Sequence, residues 1–141
     1  KRTGATSTSS GATWSPRRPT YGGNDRTHYL RVPDASRVEL RGGDGSANPY
    51  LASAVTVAAG LDRIRRGTDP GEPGGGICPD DLPMTLLHAM DALGKDAVVT
   101  GALDAAGPGV ADYFTALKRD EFFEWHSTVT PWEVDSYLTA F

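Results

Sequence analysis

The pattern of the chain changes at Gly42-Gly43, and that change limits the possible folds more than any other feature. Before it, Arg37-Val38-Glu39-Leu40-Arg41 alternates charged and apolar residues, so a strand here shows Arg37, Glu39 and Arg41 on one face and Val38 and Leu40 on the other. A second extended stretch, residues 29–32, precedes it. Pro33-Asp34-Ala35-Ser36 lies between them with the composition of a turn, which makes a hairpin. After the two glycines the spacing becomes helical. Strands grouped first and helices afterwards predict an α+β fold rather than regular βαβ alternation, and no internal repeat is present.

The helical part is punctuated by its own start and stop signals. Asn48 is an N-cap, Pro49 occupies the first helical position and Gly67 falls just past the end. Arg63, Arg65 and Arg66 then lie in the last turn, where cations match the helix dipole without any ligand role. After a Gly/Pro-rich loop over 67–81, residues 83–93 read as a second helix, with Leu82, Leu86, Met90 and Leu93 in register and Met84 and Met90 as packing residues. A third runs from about 108 to 125, with Val110, Tyr113, Phe114 and Leu117 as its apolar stripe ahead of Phe122, Phe123 and Trp125. Thr130-Pro131-Trp132-Glu133 is a capping box that starts a short terminal helix reaching about Leu138. At the other end, residues 3–25 are rich in Gly, Ser, Thr and Pro and read as a long loop, with Thr13-Trp14-Ser15 as a short extended piece. Residues 1–45 thus form a loop and hairpin, and 46–141 a mainly helical part.

Charge is divided unevenly along the 141 residues. Residues 1–41 hold 8 basic and 3 acidic side chains and the remainder 6 basic and 15 acidic, so a basic pole sits on an acidic body with a formal net charge of -4. That balance favours a local anionic substrate over nucleic acid, which is bound by basic domains. Arg17-Arg18 lies in the basic pole, but Trp14, Tyr21 and Tyr29 are not spaced as a stacking platform. The single cysteine, Cys78, rules out an intrachain disulfide and a Cys-rich zinc site and points to a reducing, cytoplasmic setting. Residues 51–61, the most apolar stretch, fall far short of the ~20 residues a membrane span needs. The chain opens Lys1-Arg2-Thr3-Gly4 with neither Met nor a signal-peptide pattern, so further sequence is expected before Lys1.

Chemistry concentrates in the hairpin. Glu39 offers a hard oxygen for Mg²⁺ or Mn²⁺, and the flanking guanidinium groups offer planar, bidentate donors for phosphate or carboxylate. The competing reading is a surface ion-pair ladder worth ~0 to 1 kcal/mol. Arg26 and Arg31 bring more cations to the same region; five residues apart, they fall on opposite faces of one ideal strand, so both reach one phosphate only if Arg26 sits in the turn after Gly22. Other catalytic patterns are missing. There is no GxxxxGK, no GxGxxG and no GxSxG, Cys78 has no histidine nearby in sequence, and His28, His88 and His126 are too scattered to chelate.

Taken in order, Lys1-Arg2, Asn24-Asp25-Arg26-x4-Arg31-Val32-Pro33, Arg37-Val38-Glu39-Leu40-Arg41 and Asp44-Gly45-Ser46-Ala47-Asn48-Pro49-Tyr50-Leu51 resemble the C-terminal signature of glutamine synthetases. Ala59-Gly60-Leu61-Asp62-x-Ile64, Pro70-Gly71-Glu72-Pro73, Leu82-Pro83, Lys118-Arg119 and Pro131-Trp132-Glu133 continue it. The resemblance covers nearly all of this chain and about the last third of a family subunit, the C-terminal part of the catalytic domain. It implies ATP-dependent phosphorylation of glutamate to γ-glutamyl phosphate, then attack by ammonia or a small amine. By the same resemblance Glu39 ligates the metal, Arg2 and Arg41 hold glutamate, Arg26 and Arg31 stabilise the transferring phosphoryl group, and Arg37 with Arg31 faces the nucleotide. It also implies a homo-oligomer of two stacked rings, with the remaining metal ligands and the small N-terminal domain lying outside this chain.

Three departures qualify the resemblance. Family members carry a flap glutamate soon after the Lys-Arg, whereas residues 3–14 contain no acid. Residues 15–23 are longer than the family norm and resemble a less common bacterial branch, some of whose members use methylamine. The 67–81 loop has no tyrosine to accept regulatory adenylylation. Glutamine formation, γ-glutamyl-alkylamide formation and a non-catalytic remnant that binds nucleotide therefore all stand as readings.

Overall fold

A computed structural model describes residues 16–74, 81–138 and 140. The predicted extended piece at 13–15, the acid-free loop at 3–14, Arg2 and Cys78 lie outside the described residues. The chain is an α+β structure in which a small three-stranded sheet is followed by helices.

The hairpin is present with a longer first strand than expected. β2 (Leu30–Asp34) runs antiparallel to β3 (Arg37–Leu40), pairing Leu30 with Leu40, Arg31 with Glu39 and Asp34 with Arg37. The expected strand stops at Val32; instead the chain stays extended through Pro33. Proline cannot donate to the ladder, and the pairing register shifts there, between Arg31 and Asp34. Asp34 Oδ1 accepts the Ser36 N–H at 2.9 Å and closes the turn.

β1 (Tyr21–Gly22) lies within the stretch expected to be loop and pairs parallel to β2, Tyr21 against Leu30 and Gly22 against Arg31. The segment that follows the first helix is strapped to it. Gly74 N–H donates to Tyr21 O at 2.8 Å, the Tyr21 hydroxyl to Gly71 O at 2.6 Å, and Leu82 N–H to Arg17 O at 2.7 Å. Asp81 takes ion pairs from Arg17 at 2.6 Å and Arg18 at 3.3 Å. Arg17-Arg18 thus tie the start of the described chain to Asp81, far along the sequence.

α1 (Pro49–Arg65) begins as the sequence specifies: the Asn48 side chain accepts from Tyr50 N–H at 3.0 Å and Leu51 N–H at 3.3 Å. It ends at Arg66 and Gly67, whose φ of 59° is the left-handed conformation that favours glycine at this position. α2 (Leu86–Leu93) starts three residues later than expected, because Thr85 caps it by accepting from His88 N–H at 3.2 Å. α3 (Ala97–Asp104), capped by Asp96, is an addition to the predicted set. α4 (Val110–Ser127) is shifted by two residues from the expected bounds, entered through Gly109 at φ 81°. α5 (Pro131–Tyr137) has both halves of its capping box.

Met90 on α2, Leu103 on α3 and Ala111 on α4 are the buried apolar residues among those described. They mark the junction where α4 packs on α2 and α3, with α1 packed on α3. The predicted α4 stripe is only partly enclosed, with Tyr113 70% exposed and Leu117 exposed as well; Met84, expected to pack with Met90 on the second helix, instead lies exposed just before α2. Leu40 faces α1 across a shallow apolar cleft lined by Ala52, Ser53, Thr56 and Val57, which leaves the charged face of β3 pointing away from the helices. Many large apolar side chains stay exposed among the described residues, Tyr50, Ile64, Tyr113, Trp125 and Leu138 among them. Among the described residues no helix is long and apolar enough to cross a membrane.

Candidate active site

The sheet gathers charge around Glu39. Because Arg31 lies directly opposite Glu39 in the β2–β3 register, the guanidinium reaches across the strands: Nη1 donates to Glu39 Oε2 and Nη2 donates to Asn24 Oδ1. Arg31 is largely enclosed, with 15% of its side chain exposed against 48% for Glu39. Its Nε is buried with no hydrogen-bond partner among the described residues. An orphaned, charge-bearing donor of this kind is costly until an acceptor arrives.

The field at Glu39 comes from three arginines. The hydrogen bond from Arg31 is the main reason its carboxyl is held below the ordinary 4.5, and the charges of Arg31, Arg41 and Arg26 add to it. Arg26 sits in the turn after β1, as required if it is to serve the same group as Arg31, which stands on regular strand. Arg41 follows β3 and is fixed there by its N–H, which donates to Tyr29 O at 2.9 Å. Tyr29 is packed so closely over Gly42 that no side chain fits at that glycine, and burial pushes its phenol upward from 10.0. Arg37 stands apart: its Nε is 3.7 Å from Asp34 Oδ2 at the hairpin tip, and its side chain is 67% exposed. Glu39, Arg26, Arg31 and Arg41 thus come together, Arg37 does not join them, and Arg2 lies outside the described residues.

Two neighbours of the cluster were given no role by the sequence. Asn24 stands in the family signature without an assignment of its own, yet it orients Arg31. His28, too far from the other histidines in sequence to chelate with them, has its ring tucked against Gly22 and Thr20.

Comparison with known proteins then decides the family, since the profile of "Glutamine synthetase, catalytic domain" matches residues 10–137. This chain belongs to the glutamine synthetase family. A glutamine synthetase of Rhizobium leguminosarum bv. phaseoli is 42% identical over 144 residues, covering 98% of this chain and 33% of that protein. A glutamate–methylamine ligase of Methyloversatilis universalis is also 42% identical, covering 93% of this chain and 31% of the ligase. Among solved structures, an ADP complex of GmaS superposes with a TM-score of 0.79 at 44% identity, over 98% of this chain and 33% of that one. The chain spans about a third of the length of the glutamine synthetase relatives it matches.

Within this family member, the described residues contain no group of three or more His, Cys, Asp and Glu side chains placed to hold a metal ion. Glu39 fits the part of one ligand. Its half-exposed carboxylate is a hard oxygen donor kept ionised by its neighbours, the kind Mg²⁺ and Mn²⁺ prefer.

Proposed function

We propose that the protein carrying this chain is an ATP-dependent carbon-nitrogen ligase that phosphorylates the glutamate side chain and joins ammonia to it, giving glutamine. The observation that carries this reading is the carboxylate of Glu39 held among Arg31, Arg41 and Arg26. Such a cluster offers one hard-oxygen ligand beside several fixed cations, which suits a metal-bound polyphosphate and a dicarboxylate substrate together.

In this reading Glu39 helps hold Mg²⁺ or Mn²⁺, which when bound screens the phosphate charge. Arg41, with Arg2, takes the carboxylates of glutamate. Arg26 and Arg31 donate to the oxygens of the phosphoryl group as it passes from ATP to the glutamate γ-carboxylate, leaving ADP. The Nε of Arg31, without a partner among the described residues, is the donor best suited to that charge. Fixed donors of this type stabilise the transition state without reorganising at the moment of reaction. Arg37, away from the cluster, together with Arg31 faces the nucleotide. The amine then attacks the γ-glutamyl phosphate and expels phosphate. The protein works as a cytoplasmic homo-oligomer of two stacked rings.

A second acceptor, a small alkylamine such as methylamine, is favoured by one observation: a glutamate–methylamine ligase and GmaS stand among the relatives at 42–44% identity. Phosphate release and amide formation by the full-length protein, given ATP, glutamate and either ammonia, methylamine or ethanolamine, test both. A clear preference for an alkylamine sinks the ammonia reading. No amine-dependent turnover with any of the three sinks the ligase and leaves the non-catalytic remnant.

A further inference from the structure

The connection between β1 and β2 is short for what it does. Two parallel strands are ordinarily joined by a dozen or more residues, yet residues 23–29 alone bring the chain from Gly22 back to Leu30. The His28 ring lies inside that return. Its Nδ1 lies 3.1 Å from Thr20 Oγ1, on the residue just before β1, and its Nε2 faces Asp25 Oδ2 at 3.9 Å. Asp25 in turn accepts the Thr27 N–H at 2.8 Å and the Thr27 hydroxyl at 2.9 Å, both on Oδ1. Arg26 lies inside this ring of contacts, between Asp25 and Thr27.

The ring is seated by shape as well as by hydrogen bonding. A methyl group on Gly22 would collide with Nε2 and Cδ2 of His28, and the imidazole is only 17% exposed. Gly22 is not among the glycines with positive φ, so the bar to a side chain there is the imidazole and not the backbone.

We propose that His28 is the positioning residue for Arg26: wedged onto Gly22, bonded to Thr20 and facing Asp25, its ring sets where the Arg26 guanidinium meets the phosphoryl oxygens. The proposal rests on the reading of Arg26 as a phosphoryl-stabilising group. It makes His28 act through Arg26, with no proton transfer of its own. Misplacing a catalytic group by an ångström costs about 10²-fold in rate, so a loss of that order in kcat is the expected size.

The test uses the full-length protein and five variants: Arg26→Ala, His28→Ala, His28→Gln, Gly22→Ala and the Gly22→Ala/His28→Ala pair, each with kcat, KM for glutamate and thermal midpoint. His28→Ala and Gly22→Ala are expected to lower kcat by up to about 10²-fold, with KM for glutamate within twofold of the parent. His28→Gln, whose amide can still bond Thr20, recovers part of the loss. The pair is expected to be no worse than His28→Ala alone, because without the ring the added methyl has room. Multiplied losses in the pair overturn the proposal, as does a uniform fall in kcat, glutamate affinity and thermal midpoint. Full activity in His28→Ala and Gly22→Ala beside a crippled Arg26→Ala overturns the role of His28 alone. Full activity in Arg26→Ala overturns the Arg26 reading and the proposal with it.

Discussion

Replacing Arg31 with lysine keeps the charge and removes the fork. In the wild-type cluster the guanidinium gives one nitrogen to Glu39 and another to Asn24, while Nε has no partner among the described residues. A lysine ammonium is a point charge that can stay with the Glu39 carboxylate but cannot reach both partners in one plane. The bond to Asn24 is therefore broken, and a hydrogen bond with a charged donor is worth about 1.5–3 kcal/mol. Asn24 is exposed, so water competes for it and the lower end applies. About 1.5 kcal/mol corresponds to roughly a tenfold drop in the share of molecules that hold residue 31 in its working position. The proposed use of Nε on the phosphoryl group adds to that only at the transition state, so kcat is expected to fall by more than tenfold while the KM for ATP changes less. Steady-state phosphate release by the full-length Arg31→Lys protein, beside Asn24→Ala and the double variant, measures it. Because both variants break the same bond, the double should fall well short of the product of the singles. An Arg31→Lys enzyme within twofold of the parent would refute the argument from the fork.

Other consequences follow from the same geometry. Asn48→Ala should destabilise the protein by about 1 kcal/mol through loss of the α1 cap, with Asn48→Asp close to neutral, read from urea midpoints. Gly42→Ala should lower the thermal midpoint, since the new methyl meets the Tyr29 ring, and Tyr29→Ala in the same chain should remove the added penalty. The Thr130 N–H and hydroxyl hold the Glu133 carboxyl below its ordinary 4.5. The capping contribution is therefore complete above 4.5 and is lost as the pH falls through the lowered folded value; a Thr130 amide resonance titrating at or above 4.5 would count against it. The 141-residue chain alone is expected to show no turnover, because Glu39 by itself cannot complete a divalent-metal site.

What could be read from the sequence was what neighbouring residues encode for one another. The Asn48-Pro49 start, the Thr130 to Glu133 box and the alternation of residues 37–41 each lie within a few positions, and each is found in place. α3 escapes such a reading because Val98, Val99 and Thr100 are β-branched and Gly101 is a poor helix former. Eight residues of that composition stay helical through the Asp96 cap and packing against α1 and α4. The partnership of Arg31 with Glu39 depends on cross-strand register, which a single strand's pattern does not contain. Arg37 shares a predicted face with Glu39, yet the register shift at the hairpin tip turns it to Asp34. His28 is visible as a residue and invisible as a function, since its partners Thr20 and Gly22 are brought to it only by the parallel pairing of β1.

The brevity of residues 23–29 has an evolutionary and engineering meaning. The hairpin tip at 35–36 is a place where a residue gained or lost could be absorbed at the surface. The β1–β2 connection is not such a place. With both ends anchored and the interior filled by the His28 ring, an added residue must either push Arg26 outward or unseat the strand that carries Arg31. Diversification of this segment should therefore proceed by exchange of side chains at fixed length, and a library built here should randomise identities while leaving the count alone.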